Sequence, residues 1–135
     1  MKTLVRNSRA LLHGSLFALV AAGALLTTPT AAAKAPGCVI GHSIAVREMP
    51  QQGREVLALI QAGGPFPNSR DGVNFGNRER LLPTAQRGFY REYTVRTPGA
   101  RNRGARRIVC GGDQRLADQC FYSDDHYKSF KCIAR

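Results

Sequence analysis

One stretch of helical period is followed only by short alternating runs and turns, and that order restricts the fold more than any other feature of the chain. Val56, Leu59 and Ile60 recur at helical spacing within Pro50 to Ala62. Pro50 suits a first turn, and Gly63-Gly64 ahead of Pro65 bring the helix to an end. From Gly63 to Pro83 the chain is rich in Gly, Pro, Asn and Arg and reads mostly as loop. Phe89 to Val95 then alternates, with Phe89, Arg91, Tyr93 and Val95 on one face and Tyr90, Glu92 and Thr94 on the other. Arg106 to Cys110, Cys120 to Ser123 and Tyr127 to Ile133 read as three further strands, with turns at Pro98-Gly99 and Asp124-Asp125. Connections this short leave no room for crossover helices, so the strands are expected to pair antiparallel. The expected fold class is α+β: one main N-terminal helix packed on a small antiparallel β-sheet whose other face is open to solvent. Alternation places Glu92 and Arg107 on that open face.

The segment ahead of this domain has the three-part layout of a secretory signal. Lys2, Arg6 and Arg9 make a cationic start, an apolar run spans Gly14 to Leu26, and small residues stand at Ala31 and Ala33. Residues 1–33 are therefore expected to be a signal peptide and 34–135 the functional domain, secreted to a periplasm or out of the cell. Cleavage after Ala35 also fits, although Pro36 disfavours it. Pro29 argues against a buried N-terminal helix, and no run of about 20 apolar residues spans a membrane in the mature protein. Of 135 residues 43% are hydrophobic, enough for one core and one domain. No oligomer signal is visible, so a monomer is expected.

All four cysteines, Cys38, Cys110, Cys120 and Cys132, follow the signal. Export with an even cysteine count points to disulfides, and three pairings are open. The favoured one joins Cys110 to Cys120 across nine intervening residues and Cys38 to Cys132 across the two ends. Chain entropy assigns about 3 kcal/mol to the short loop and about 4.7 to the long one. No CxxC occurs and the mature chain holds only His42 and His126, so neither a metal nor another cofactor is expected.

The chain carries 20 basic against 9 acidic residues, and removal of the signal leaves 17 against 9. Arg101, Arg103, Arg106 and Arg107 crowd into seven positions. Like charges at that density call for an anion among them, and the planar guanidinium fork grips phosphate oxygens in pairs. Glu92 stands mid-strand among aromatics, where neighbouring arginines would hold it ionised as a general base. His126 stands at the mouth of the Asp124-Asp125 turn. A base for the 2′-OH, an acid for the departing 5′-oxygen and cations for the phosphate are the requirements for cleaving RNA. The nucleophile belongs to the substrate, so no metal is needed, and DNA has no 2′-OH to attack.

Four segments, in order, resemble the guanyl-specific microbial ribonucleases: Phe75-Gly76-Asn77-Arg78-Glu79, Tyr90-Arg91-Glu92-Tyr93-Thr94-Val95, Thr97-Pro98-Gly99 through Arg106-Arg107-Ile108, and Asp125-His126-Tyr127. The resemblance runs from about residue 50 to 131 and includes Gly64-Pro65-Phe66-Pro67 and Asp71-Gly72-Val73. It implies that Glu92 is the general base, His126 the general acid, Arg103 and Arg107 the phosphate-stabilising arginines, and Tyr127 the tyrosine beside the acid. It also implies that Phe75 stacks on guanine. Backbone N–H groups of the Gly76-Asn77-Arg78 loop would meet O6 and N7, and Glu79 would accept from N1–H and N2–H. The implied activity is endonucleolytic cleavage 3′ to guanosine through a 2′,3′-cyclic phosphate to a 3′-phosphate. RNA is the implied partner, and a barstar-type acidic protein inhibitor is a second one that the resemblance admits. Gly76 stands where relatives carry Gln or Ser, and Asn68 where the streptomycete enzymes commonly carry Tyr. Cys110 and Cys120 have no counterpart in those enzymes, so the pairing above comes from this chain alone. Net positive charge would equally serve a cationic binder of RNA or membranes without turnover, but such a binder has no use for a Glu, a His and two arginines at these positions.

Overall fold

The helix α1 spans Gln51–Ala62, with Pro50 as its N-cap, and is preceded by a 3-10 turn at Val46–Glu48. The computed structural model describes residues 40–135. The expected signal peptide 1–33 and Cys38 lie outside the described residues. Gly63 ends α1 in the left-handed region at φ 81°, and the N–H groups of Gly63 and Gly64 return to the carbonyls of Ile60 and Leu59. The buried face carries Val56, Leu57 and Ile60, whereas Leu59, assigned to that face from its spacing, is only half-buried. Among the described residues no helix is long and apolar enough to cross a membrane.

Six strands form one sheet, the first ahead of α1 and the rest after it: β1 (Ser43–Ala45), β2 (Val73–Asn74), β3 (Tyr90–Thr94), β4 (Arg107–Gly111), β5 (Gln119–Ser123) and β6 (Lys131–Ala134). Their order across the sheet is β1-β6-β5-β4-β3-β2. The middle pairings are antiparallel, as the short connections require. β1 is the addition: it runs parallel to β6, with Ser43 opposite Cys132, so the sheet is mixed. A parallel pair needs a long crossover, and here α1 and four strands make it. β1 and β2, of three and two residues, are too short to carry a period of their own. The last strand is also shorter than its sequence suggests. His126 and Tyr127 have φ of 61° and 67°, so residues 127–130 form a turn and β6 begins at Lys131.

Pairing in register sorts the side chains onto two faces. Tyr93, Val95, Ile108, Cys110, Cys120 and Tyr122 meet Met49, Val56, Leu57 and Ile60 beneath α1. Full burial of a side chain such as Ile60, Val95 or Ile108 contributes about 1.5–3 kcal/mol. Cys110 and Cys120 lie directly opposite each other, Cα atoms 4.1 Å apart, and form the expected disulfide. Cys132 is likewise disulfide-bonded.

The second face is less open than a one-sided sheet implies. Leu82, Tyr90, Val109, Phe121, Phe130 and Cys132 form a second apolar cluster over part of it. The polar remainder consists of Glu92, Thr94, Arg107 and Ser123, all no more than 9% exposed. The connections before β4 and after β5 fold over these residues, bringing Arg103 and Tyr127 against them.

Candidate active site

Thr94 on β3, Arg107 on β4 and Ser123 on β5 are opposite one another in register, and Glu92 is two residues along β3 from Thr94. Period-two alternation alone brings these four side chains to one face. Burying a carboxylate and a guanidinium there requires that each find partners. Arg107 donates from Nη1 to the carbonyls of Gly104 at 2.9 Å and Arg106 at 2.8 Å, and from Nε to the Tyr127 hydroxyl at 2.9 Å. Its guanidinium lies 5.5 Å from the centre of the Tyr127 ring. The Tyr127 hydroxyl donates in turn to Glu92 Oε2 at 2.7 Å. Glu92 Oε1 faces Arg103 Nη2 at 3.5 Å, and Arg103 donates from Nε and Nη2 to Thr94 Oγ1 at 3.1 and 2.6 Å.

The arginine cluster divides. Arg103 and Arg107 turn into the site. Arg101 is exposed, and Arg106 acts on Tyr122, a member of the helix-side core. The bend that lets Arg107 reach the Gly104 carbonyl depends on Gly104 itself, at φ 66°, where a Cβ would stand 2.3 Å from Thr97 Oγ1.

Tyr127 is the hub of the arrangement. Burial pushes its phenol above the usual tyrosine value, the hydrogen bond and charge of Glu92 push it further, and Arg107 opposes both. The hydroxyl is therefore protonated at neutral pH and able to donate to Glu92. The turn that presents Tyr127 is held by Ser123, Asp125 and Ser129, of which only Asp125 was singled out in the sequence. Ser123 Oγ accepts from the Tyr127 N–H at 3.0 Å and donates to Asp125 Oδ1 at 2.9 Å. Asp125 also accepts from the N–H and hydroxyl of Ser129 at 3.0 and 2.6 Å. Thr94 was visible as a residue on the Glu92 face, but its role as the rest for Arg103 was not. Asp71 is a further unforeseen support, accepting from the Thr94 N–H at 2.7 Å.

His126 is exposed beside this hub. Its backbone N–H donates to the Ala105 carbonyl at 3.1 Å, and its ring centre lies 5.3 Å from that of Tyr127. Asp124 and Asp125, which flank it in sequence, turn elsewhere: Asp124 pairs with Lys131 at 3.2 Å and Asp125 binds the two serines. The imidazole is left facing solvent, as a group that must reach a substrate atom requires.

The Phe75 to Glu79 loop borders the same centre through one ring. Phe75 stacks on Tyr127 with ring centres 5.4 Å apart and 27° between planes, and meets Phe130 edge-on at 5.8 Å. Asn77, at φ 44°, closes the loop by exchanging hydrogen bonds with Leu82: its Nδ2 donates to the Leu82 carbonyl at 2.8 Å and its Oδ1 accepts from the Leu82 N–H at 3.0 Å. The Asn77 side chain thus holds the loop's shape, and its base-facing capacity is confined to the backbone. Phe75, Gly76, Asn77 and Arg78 line a groove of about 690 Å3 together with the segment 84–88. Gly76 and Glu79 are exposed, and Glu79 does not line that groove.

The chain matches the family model described as ribonuclease over residues 32–134. It is 45% identical over 94 residues to guanyl-specific ribonuclease Sa of Kitasatospora aureofaciens, a match covering 70% of this chain and 95% of that protein. Solved structures of ribonuclease Sa2 are similar throughout the domain. The complexes with mononucleotides superpose with a TM-score of 0.65 at 42% identity, covering 70% of this chain and 94% of that one. The complex with guanosine-2′-cyclophosphate gives 0.63 at 43% identity, covering 69% and 96%.

Proposed function

This chain belongs to the ribonuclease family, in its guanyl-specific microbial branch, and from that premise we propose that it is an endoribonuclease cleaving single-stranded RNA 3′ to guanosine. The observation that carries the reading is the Glu92–Tyr127–Arg107 chain of hydrogen bonds, closed by Arg103 on the other Glu92 oxygen, with a solvent-facing imidazole beside it.

In the first step Glu92 takes the proton of the 2′-OH, and the 2′-oxygen attacks the adjacent phosphorus. His126 protonates the departing 5′-oxygen as the P–O bond breaks, leaving a 2′,3′-cyclic phosphate. Arg103 and Arg107 stabilise the charge that builds on the non-bridging oxygens, and both are already fixed by protein contacts, so little reorganisation accompanies the reaction. In the second step the roles exchange: His126 activates water and Glu92 returns the proton to the 2′-oxygen, giving a 3′-phosphate. Guanine stacks on Phe75, receives hydrogen bonds from loop N–H groups at O6 and N7, and donates N1–H and N2–H to Glu79. Adenine reverses that pattern and leaves Glu79 facing an acceptor. The complex of a relative with guanosine-2′-cyclophosphate supports the order of steps.

The proposal extends to a secreted monomer whose cationic site also suits a barstar-type acidic inhibitor. Its test is cleavage of GpC against ApC by the purified protein in EDTA, following the cyclic phosphate. Release from GpC with ApC intact is the expected result. Equal cutting would keep the chemistry and remove the base assignment. A folded protein that binds RNA and cuts neither would overturn the enzyme.

A further inference from the structure

The groove beside the guanine loop carries more charge than guanine recognition uses. Arg78, Arg80 and Arg87 all line it, together with Asn74, Thr84 and Gln86, and no carboxylate does. Arg103 and Arg107 are bonded to protein acceptors, and Arg91 donates to the Gly72 carbonyl at 2.7 Å. By contrast, the side chains of Arg78, Arg80 and Arg87 make no hydrogen bond or ion pair among the described residues. Three arginines lining one groove, with their forks unengaged among the described residues, form an arrangement that an external anion would stabilise. At about 690 Å3 the groove falls within the size range of ligand sites.

The geometry also indicates which anion. The scissile phosphate is accounted for by Glu92, Arg103, Arg107 and His126, none of which lines the groove. The nucleotide 3′ to the cut departs on the side of His126, which protonates its oxygen. Guanine occupies the Phe75 to Glu79 loop. The next anion along the strand is the phosphodiester on the 5′ side of that guanosine, and the groove is lined by residues of that same loop together with Arg80 and Arg87.

We propose that Arg80 and Arg87, with Arg78, form a subsite for the phosphodiester 5′ to the recognised guanosine, so that internal guanosines are cut faster than terminal ones. The inference rests on the ribonuclease reading above. Its test compares kcat/KM for GpC, for UpGpC and for UpGpC whose upstream linkage is an uncharged methylphosphonate. The wild-type protein should cut UpGpC about three- to tenfold faster than GpC at low salt, with the neutral linkage abolishing the gain. The double variant Arg80→Asn/Arg87→Ala should cut both substrates at the wild-type GpC rate. Asn is chosen because Arg80 has φ 55°, a conformation Asn tolerates. Should the double variant fold poorly, Arg87→Ala alone should still reduce the gain.

Three results would overturn the subsite while leaving the enzyme intact: equal rates on GpC and UpGpC, a gain that survives the neutral linkage, or a gain that survives both substitutions. Failure to cut GpC at all would overturn the ribonuclease reading, and the subsite with it.

Discussion

The hydroxyl of Tyr127 donates to Glu92 Oε2 at 2.7 Å, linking strand β3 to the turn that carries His126. The same hydroxyl accepts from Arg107 Nε at 2.9 Å, so one oxygen orients both a carboxylate and a guanidinium. Tyr127→Phe isolates that function. The ring keeps its stack on Phe75 and its place beneath Arg107, and Arg107 keeps its carbonyl partners. We expect kcat for GpC to fall about tenfold, the equivalent of one charge-assisted hydrogen bond, with KM changed less than about twofold. Steady-state kinetics check this, and a loss confined to KM would reduce Tyr127 to a stacking residue.

Glu92→Gln and His126→Ala should each lower turnover by about 10²–10⁴-fold with the fold retained by circular dichroism. Near-normal turnover in either variant would remove that residue from the reaction.

Strand β3 was legible because its alternation is strict: Glu92 and Arg107 reach one face by period two alone, as the register confirms. The Cys110–Cys120 pairing was favoured for the short loop it closes, and the structure adds that both cysteines fall on the helix-side face of adjacent strands. The turn at Asp124-Asp125 was legible too, but its extension to residue 130 was not. Tyr127 to Ile133 has a strand-like composition, and only the hydrogen bonds of Ser123 and Asp125 show why Tyr127 adopts a positive φ instead. Thr94 and Asp71 support Arg103 from 9 and 32 residues away in sequence, a relationship that no local pattern encodes. The parallel pairing of β1 with β6 joins opposite ends of the domain and leaves no periodic trace in a three-residue strand.

Glu79→Gln tests the base assignment separately from the chemistry. Glu79 is exposed and takes no part in the hydrogen bonds that join Glu92, Arg103, Arg107 and Tyr127, so the variant should keep its stability. The ratio of kcat/KM for GpC over ApC should fall by about tenfold or more, because an amide can present a donor to adenine where the carboxylate cannot. An unchanged ratio would leave guanine selection to the loop backbone and Phe75.

The disulfide and the site lie on opposite faces of the sheet, so stability and activity should separate. Cys110→Ala/Cys120→Ala removes a cross-strand link beneath α1 and should cost about 2–3 kcal/mol in urea denaturation. Below the unfolding transition, GpC cleavage should stay within about twofold of wild type, since the hydrogen bonds that set Glu92 and Arg107 do not involve either cysteine. Loss of activity in a fully folded variant would show that the disulfide sets the β4–β5 register on which Arg107 depends.

Asp125 offers the pH-dependent case. Burial works to raise its carboxyl, but hydrogen bonds from the Ser129 side chain and backbone, the Ser123 hydroxyl and the Lys128 N–H outweigh it and hold the group below the ordinary value of 3.8. A depressed folded value means the ionised form favours the native state. That contribution is present in full above pH 3.8 and is lost as pH falls through the lower folded value. Asp125→Asn retains one acceptor oxygen without the charge, and at pH 7 should cost on the order of 1–2 kcal/mol, discounted for the exposure of the turn. The gap between wild type and variant should narrow steadily below pH 3.8. Because the same carboxylate holds Ser123 and, through it, the Tyr127 N–H, turnover of GpC should fall several-fold as the hydroxyl above Glu92 loses its fixed position. Urea denaturation at pH 7 and pH 3 checks the first part, and kinetics at pH 7 the second. A stability gap that stays constant with pH would show that the charge of Asp125 contributes nothing to holding the turn.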